Sequence, residues 1–132
     1  MLKLNREIGA DKVGLDAVAL NGTRTGNLIQ LSGYDQISIL VNHANSAGAL
    51  TITYYLEFTN DDCTTYFREQ KTAISTGTVT LSDGTYSKTV SGAAKWITNH
   101  AAHAKAFRIV FPTVSGAGSS DKVTVDVRIG SL

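Results

Sequence analysis

The sequence predicts an all-β chain folded as an antiparallel sandwich of about eight or nine short strands. Three observations carry that expectation. Apolar and polar residues alternate with period two along most of the chain. Turn-forming pairs such as Asn21-Gly22 and Asp83-Gly84 punctuate the runs. Only one proline occurs, Pro112, and it closes a strand rather than interrupting one.

Strands are expected at about 12–20, 26–31, 35–43, 49–59, 63–71, 77–82, 85–90, 94–98, 105–112 and 121–130, two of them merging. "QISILVNH" sets Ile37, Ile39 and Val41 on one face. "LTITYYLEF" sets Leu50, Ile52, Tyr54, Leu56 and Phe58 against Thr51, Thr53, Tyr55 and Glu57. "KAFRIVF" groups Phe107, Ile109 and Phe111, and "DKVTVDVRIG" groups Val123, Val125, Val127 and Ile129. These β-branched and aromatic residues suit a pleated, half-buried surface. Asn21-Gly22 and Asp83-Gly84 fit type I′ turns, whose two central residues need positive φ, so "TVTLSDGTYSKTV" reads as a hairpin from Thr78 to Val90. "NSAGA" and "SGAGSSD" are loops. "AAKWITNHAAHAKAF" departs from alternation, and a short helical turn is expected around 99–104. Residues 13–132 form a single sandwich domain, and residues 1–12 an N-terminal arm free to move or to pack on a neighbour.

The bulk numbers narrow the function. With 132 residues the chain can bury a real core. Charged residues make up 17%, below the usual share of about 25%, and Thr, Ser, Gly and Asn fill the polar positions. Twelve basic and 11 acidic side chains leave a net charge of +1, so no strong field draws the chain to nucleic acid or an anionic membrane. The one cysteine, Cys63, has no partner for an internal disulfide. The N-terminal residues lack the apolar run of a signal peptide, and synthesis in a cytoplasm is expected.

The densest chemistry lies in "YYLEFTNDDCTTYFRE", residues 54–69. Glu57, Asn60, Asp61 and Asp62 are hard oxygen donors, but they lack the glycine and the D-x-D-x-D spacing of a calcium loop. Asn and Asp side chains also bond their own backbone, so the segment reads as a sandwich hairpin around an acidic turn. Tyr54, Leu56 and Phe58 point inward, and Cys63, Thr65 and Phe67 or their neighbours return. His100 and His103 share an H-x-x-H spacing but lack a second ligand pair, which leaves no metal expected. Adjacent Asp61 and Asp62 face opposite ways on an extended strand, and no nucleophile elbow, phosphate loop or zincin motif occurs. No enzyme and no cofactor are therefore expected. A sugar platform would draw on Tyr55, Tyr66 or Trp96, with Asn60 and Asp61 as polar contacts.

Residues 34–130 resemble small β-sandwich proteins of tailed-phage virions. The resemblance is carried by "YDQISILVNHANSAGALTITYYLEFTNDDCTTYF", "AAKWITNHAAHAKAFRIVFPTV" and "DKVTVDVRIG". The same layout is similar to galactose-binding-like and discoidin-like jelly rolls, with Thr59-Asn60-Asp61-Asp62 and Tyr66 or Phe67 at the place of their sugar-site turn. Asp62 stands where those proteins have glycine, and Tyr or Phe where they have tryptophan. The resemblance implies a jelly-roll-like sandwich acting as a virion part: a capsid decoration protein, or a head–tail or tail subunit. Its partners would be other virion proteins and copies of itself, through Leu2, Leu4 and Ile8 of the arm and the loops at 43–49 and 115–120. The alternative is a carbohydrate-binding module.

Overall fold

The computed structural model describes residues 7–8, 12–44, 48–61 and 64–131. Among these residues the regular structure is all strand, in thirteen segments. They are β1 (Glu7–Ile8), β2 (Lys12–Ala19), β3 (Arg24–Thr25), β4 (Ile29–Gln30), β5 (Gln36–Ala44), β6 (Ala49–Thr59) and β7 (Phe67–Arg68). The chain continues through β8 (Gln70–Ser75), β9 (Thr78–Asp83), β10 (Tyr86–Ser91), β11 (Ala94–Ala101), β12 (Ala106–Phe111) and β13 (Lys122–Ser131).

Every pairing is antiparallel. The first sheet runs β2, β13, β5, β11, with β1 extending the β2 edge of β13. The second runs β3 and β4, then β12, β6 and β10, with β7 also on β6. Taking β3 with β4 as one broken strand, the orders β2-β13-β5-β11 and β3/β4-β12-β6-β10 are those of a jelly roll, two interlocked Greek keys, with β6, β7 and β10 the successive strands that share a sheet. The inward faces carry the apolar halves of the alternation. Ile37, Ile39, Val41, Val123, Val125 and Val127 of the first sheet meet Ile52, Tyr54, Leu56, Phe107, Ile109 and Phe111 of the second, all buried in one cluster.

Four details differ from expectation. Asp83-Gly84 is not a hairpin turn: β9 pairs with β8, and β10 pairs with β6. Gly84 instead brings its backbone against Glu69, donating to the Glu69 carbonyl at 2.6 Å, where a Cβ would lie 2.9 Å from that oxygen. The turn of type I′ shape is Thr76-Gly77, both at positive φ, 51° and 75°. Asn21-Gly22 likewise closes no hairpin, because β2 pairs with β13. Around 99–104 there is no helical turn: β11 continues to Ala101, held across from β5. The expected strand at 63–71 is divided between β7 and β8, which belong to different sheets.

Candidate functional site

The most distinctive feature is the ribbon β8–β9. Six residue pairs form its ladder, from Gln70 opposite Asp83 to Ser75 opposite Thr78, and neither strand pairs with the sandwich. All of its strand residues are exposed. Directly opposed residues share a face, so Ile74 and Val79 stand side by side, followed by Thr72 with Leu81 and Gln70 with Asp83. Ile74, Val79 and Leu81 are 72%, 60% and 62% exposed. An aliphatic strip of this kind on a two-stranded ribbon is unusual, since such ribbons are marginal without something to pack on.

The root of the ribbon is tightly built. Glu69 stands immediately before β8 and Tyr86 opens β10. The Tyr86 hydroxyl donates to Glu69 Oε1 at 2.5 Å, and His100 Nδ1 lies 3.4 Å from Oε2. The chain of contacts continues inward from His100 Nε2 to Thr98 Oγ1 at 3.0 Å and from there to the Tyr54 hydroxyl at 3.1 Å. The His100 ring meets Tyr86 edge-on, with centroids 4.8 Å apart. Burial raises the pKa of Glu69, but the hydrogen bonds from His100 and Tyr86 and the nearby charges outweigh it, and the carboxyl sits below its usual range. Burial, with the Glu69 hydrogen bond and charge, pushes the Tyr86 phenol well above its usual range. The network therefore holds an ionised carboxylate and a protonated phenol in a fixed geometry. Around it, Arg68 donates to Thr85 Oγ1 at 2.8 Å, Lys71 to the Thr85 carbonyl at 2.6 Å, and Gln70 to Asp83 at 2.8 Å.

The residues singled out in the sequence lie apart. Tyr55 carries the Arg68 guanidinium 3.8 Å above its ring, and Tyr66 carries that of Arg108 at 3.6 Å. Arg108 also donates to Glu57 at 3.0 Å across the β12–β6 pair. At the turn after β6, Asp61 Oδ1 accepts from the Thr59 hydroxyl at 2.8 Å and from the Thr64 and Thr65 N–H groups at 3.0 Å each. The Thr65 and Thr59 hydrogen bonds lead in bringing its pKa down from 3.8 to about 2. Asn60 Oδ1 accepts from the Lys105 N–H. These contacts are local turn chemistry, as Asn and Asp make it. Trp96 is half-buried on β11, in the other sheet.

Phe58 is half-buried rather than fully inward, and Phe67 opposite it is 58% exposed. His100 is buried and His103 exposed, because H-x-x-H runs along a strand end and not a helical turn. His43 is buried elsewhere, its Nδ1 3.0 Å from the Gly92 carbonyl and its Nε2 3.4 Å from Asp121. Among the described residues no group of three or more His, Cys, Asp or Glu is placed to hold a metal ion. Leu2, Leu4, Asp62 and Cys63 lie outside the described residues. Ile8 pairs with Gly130 at the edge of the first sheet.

A second surface feature lies on the outer face of the first sheet. A depression of about 510 Å³ is bounded by Leu40, Asn42, Lys95, Ile97 and Asp126. Register aligns Val13, Asp126, Leu40 and Ile97 in one row across four strands. Ile97 and Val13 are 60% and 51% exposed. Neither this row nor the ribbon was singled out from the sequence. Part of the signal for the ribbon was there: "TVTL" alternates directly after Thr76-Gly77.

No family model matches the chain, and no curated protein matches it. Among solved structures, the crystal structure of SPBc2 prophage-derived protein YomS has the same fold, with a TM-score of 0.54, 10% identity and 99% of each chain covered. A structure of infectious bursal disease virus Gt strain aligns with a TM-score of 0.28 and 13% identity, covering 94% of this chain and 36% of that one.

Proposed function

We propose that this chain is a phage-associated structural protein that works through protein–protein contacts rather than catalysis. The observation that carries the reading is the end-to-end match of its fold to a prophage-derived protein, with 99% of each chain covered. Two further features support it. The polar groups at the ribbon root are spent on one another, with His100 buried behind Glu69 and Tyr86. Two exposed surfaces carry aliphatic side chains: the ribbon strip of Ile74, Val79 and Leu81, and the outer row of the first sheet, where Val13, Leu40 and Ile97 flank Asp126. Such surfaces serve recognition by other proteins.

Within that class we assign it to the virion, as a capsid decoration protein or a head–tail or tail subunit, made in the host cytoplasm and partnered by other particle proteins. The arm with Leu2, Leu4 and Ile8 and the loops at 43–49 and 115–120 are further contact candidates. The carbohydrate-binding reading has less to stand on, because Tyr55 and Tyr66 each present one ring face to a guanidinium and Trp96 lies in the other sheet. The test is quantitative mass spectrometry on density-gradient-purified particles from the host that encodes the chain. A fixed copy number per particle is expected; a chain absent from particles overturns the assignment. Truncation of residues 1–10 that leaves particle binding unchanged removes the arm from the contact.

A further inference from the structure

We infer that a cleft beside the ribbon root seats an arginine side chain of a partner protein, its guanidinium held against the rings of Phe58 and Phe67 and the carboxylate of Glu69. The inference deepens the reading of the chain as a protein that works through protein–protein contacts, and rests on it.

The cleft has a volume of about 280 Å³. Phe58, Phe67 and Glu69 line it from β6, β7 and the residue before β8. Phe67 lies directly opposite Phe58 in the β6–β7 pair, so the two rings share a face. Ala101, Ala102 and Ala104 line it from the end of β11 and the connection to β12, where side chains one methyl long leave the space open. Both sets are pinned through the backbone. The Glu69 N–H donates to the Leu56 carbonyl at 3.0 Å, and the Glu69 carbonyl accepts from Gly84 at 2.6 Å. The Ala102 N–H donates to the Asp35 carbonyl at 2.8 Å, and the Lys105 N–H to the Thr59 carbonyl at 3.1 Å. The cleft is therefore formed before a ligand arrives, which lowers the cost of binding.

Charge selects the occupant. The Glu69 side chain is 17% exposed. Burial raises its pKa, yet the hydrogen bonds from His100 and Tyr86 outweigh it and keep the carboxyl ionised. Those contacts take two of the roughly four acceptor sites of a carboxylate. Among the described residues its ion-pair contact is with His100, at 3.4 Å, and no lysine or arginine lies within ion-pair distance. The nearby basic side chains are committed elsewhere. Lys71 donates to the Thr85 carbonyl above the Tyr86 ring, and Arg68 stacks on Tyr55 and bonds Thr85. An incoming cation supplies the charge-assisted bonds that Glu69 can still accept.

The aromatic residues favour the same ligand. Phe58 and Phe67 offer no polar atom, and their ring faces attract a cation. Phe67 is 58% exposed, so its ring is open to contact. A guanidinium is planar and weakly hydrated, and suits a ring face and a carboxylate together. A neutral sugar would use the rings but leave the Glu69 charge uncompensated, and Asn60 Oδ1, also in the cleft, is already bonded to the Lys105 N–H. An apolar ligand would bury that charge without a partner.

The test titrates the full chain with N-acetyl-arginine amide and with N-acetyl-citrulline amide, which keeps the shape and loses the charge. Binding is followed by amide chemical shifts in nuclear magnetic resonance. The arginine derivative is expected to saturate shifts at Phe67, Glu69 and Ala102 with a dissociation constant on the order of 1 mM. The citrulline derivative is expected to leave them in place. Glu69→Gln should weaken binding at least roughly tenfold. Phe67→Leu, which keeps apolar bulk and loses the ring, should weaken it roughly twofold to fivefold, and Phe67→Tyr should retain it. Circular dichroism checks the fold, and the exposed Phe67 variants carry the test if Glu69→Gln unfolds the chain.

Equal shifts with both derivatives, or none with either, overturn the cleft as a cation site. So does saturation of the same residues by methyl galactoside with the arginine derivative unbound. Particle association is scored separately. Particles carrying Phe67→Ala are expected to hold fewer copies than those carrying wild type, and an unchanged copy number overturns the partner contact. A chain that is present on particles and ignores the arginine derivative overturns the cleft and leaves the structural role standing; a chain that binds the derivative and is absent from particles does the reverse.

Discussion

Tyr86 and Glu69 meet at 2.5 Å where the chain leaves and re-enters the sandwich, and this hydrogen bond fixes the base of the ribbon. One residue precedes β8 and the other opens β10, so the contact closes the whole excursion at its neck. Hydrogen bonds to a charged group contribute about 1.5–3 kcal/mol. Tyr86→Phe keeps the ring against Tyr54 and His100 and removes only the donor. The expected loss is about 1.5 kcal/mol in urea unfolding, with faster amide exchange in β8 and β9.

Glu69 also sets a pH dependence. Its pKa in the folded chain is below the ordinary 4.5, so its contribution is present above that value. It is lost as pH falls through the lower folded-state value, when the protonated carboxyl gives up its charge. Stability is therefore expected to decline on the acid side of pH 4.5, and Glu69→Gln to flatten that decline. A wild type and variant with parallel profiles would refute the assignment.

Asp61 acts further down the scale. Its carboxyl is held at about 2 against an ordinary 3.8, chiefly by the Thr65 N–H and the Thr59 hydroxyl. Its contribution is complete above 3.8 and disappears as pH falls toward 2. Asp61→Asn is expected to remove that part of the acid slope, and nuclear magnetic resonance titration of the carboxyl should give a midpoint near 2.

Thr76 sits at a φ of 51°, where a β-branched residue is strained. Asn suits the first position of a type I′ turn far better. Thr76→Asn is expected to stabilise the ribbon by on the order of 1 kcal/mol, read as slower hydrogen exchange in β8 and β9. Gly77→Ala, at a φ of 75°, should have the opposite effect.

Two isoleucines separate core from contact surface. Ile39 is 0% exposed and Ile74 is 72% exposed. Ile39→Ala is expected to cost about 2–5 kcal/mol through the cavity it leaves. Ile74→Ala should stay within about 0.5 kcal/mol in the isolated chain, since it removes little buried area. A large effect of Ile74→Ala on monomer unfolding would show that the ribbon folds back on its own sandwich.

Much of the fold was legible in the sequence because period-two alternation is a local property. β5, β6, β12 and β13 could be placed from Ile37-x-Ile39-x-Val41, Leu50 to Phe58, Phe107-x-Ile109-x-Phe111 and Val123 to Ile129, and burial follows at these inward positions except Phe58, which is half-buried. The turn around Asp61 was legible for the same reason, since its partners lie within four residues. The ribbon was misread because "DG" is a stronger local turn signal than "TG", while Gly84 serves a close approach to Glu69, 15 residues earlier. No local rule anticipates that approach.

The sequence by itself determined an all-β chain, most of its strand positions and the inward half of each strand, because pleat geometry ties side-chain direction to parity. Only the tertiary structure decided which strands pair and which apolar residues are left outside. Ile39 and Ile74 are the same residue type on β-strands, yet one lies between two sheets and the other on a ribbon that no described residue covers. Alternation defines a face, and long-range pairing determines what, if anything, covers it.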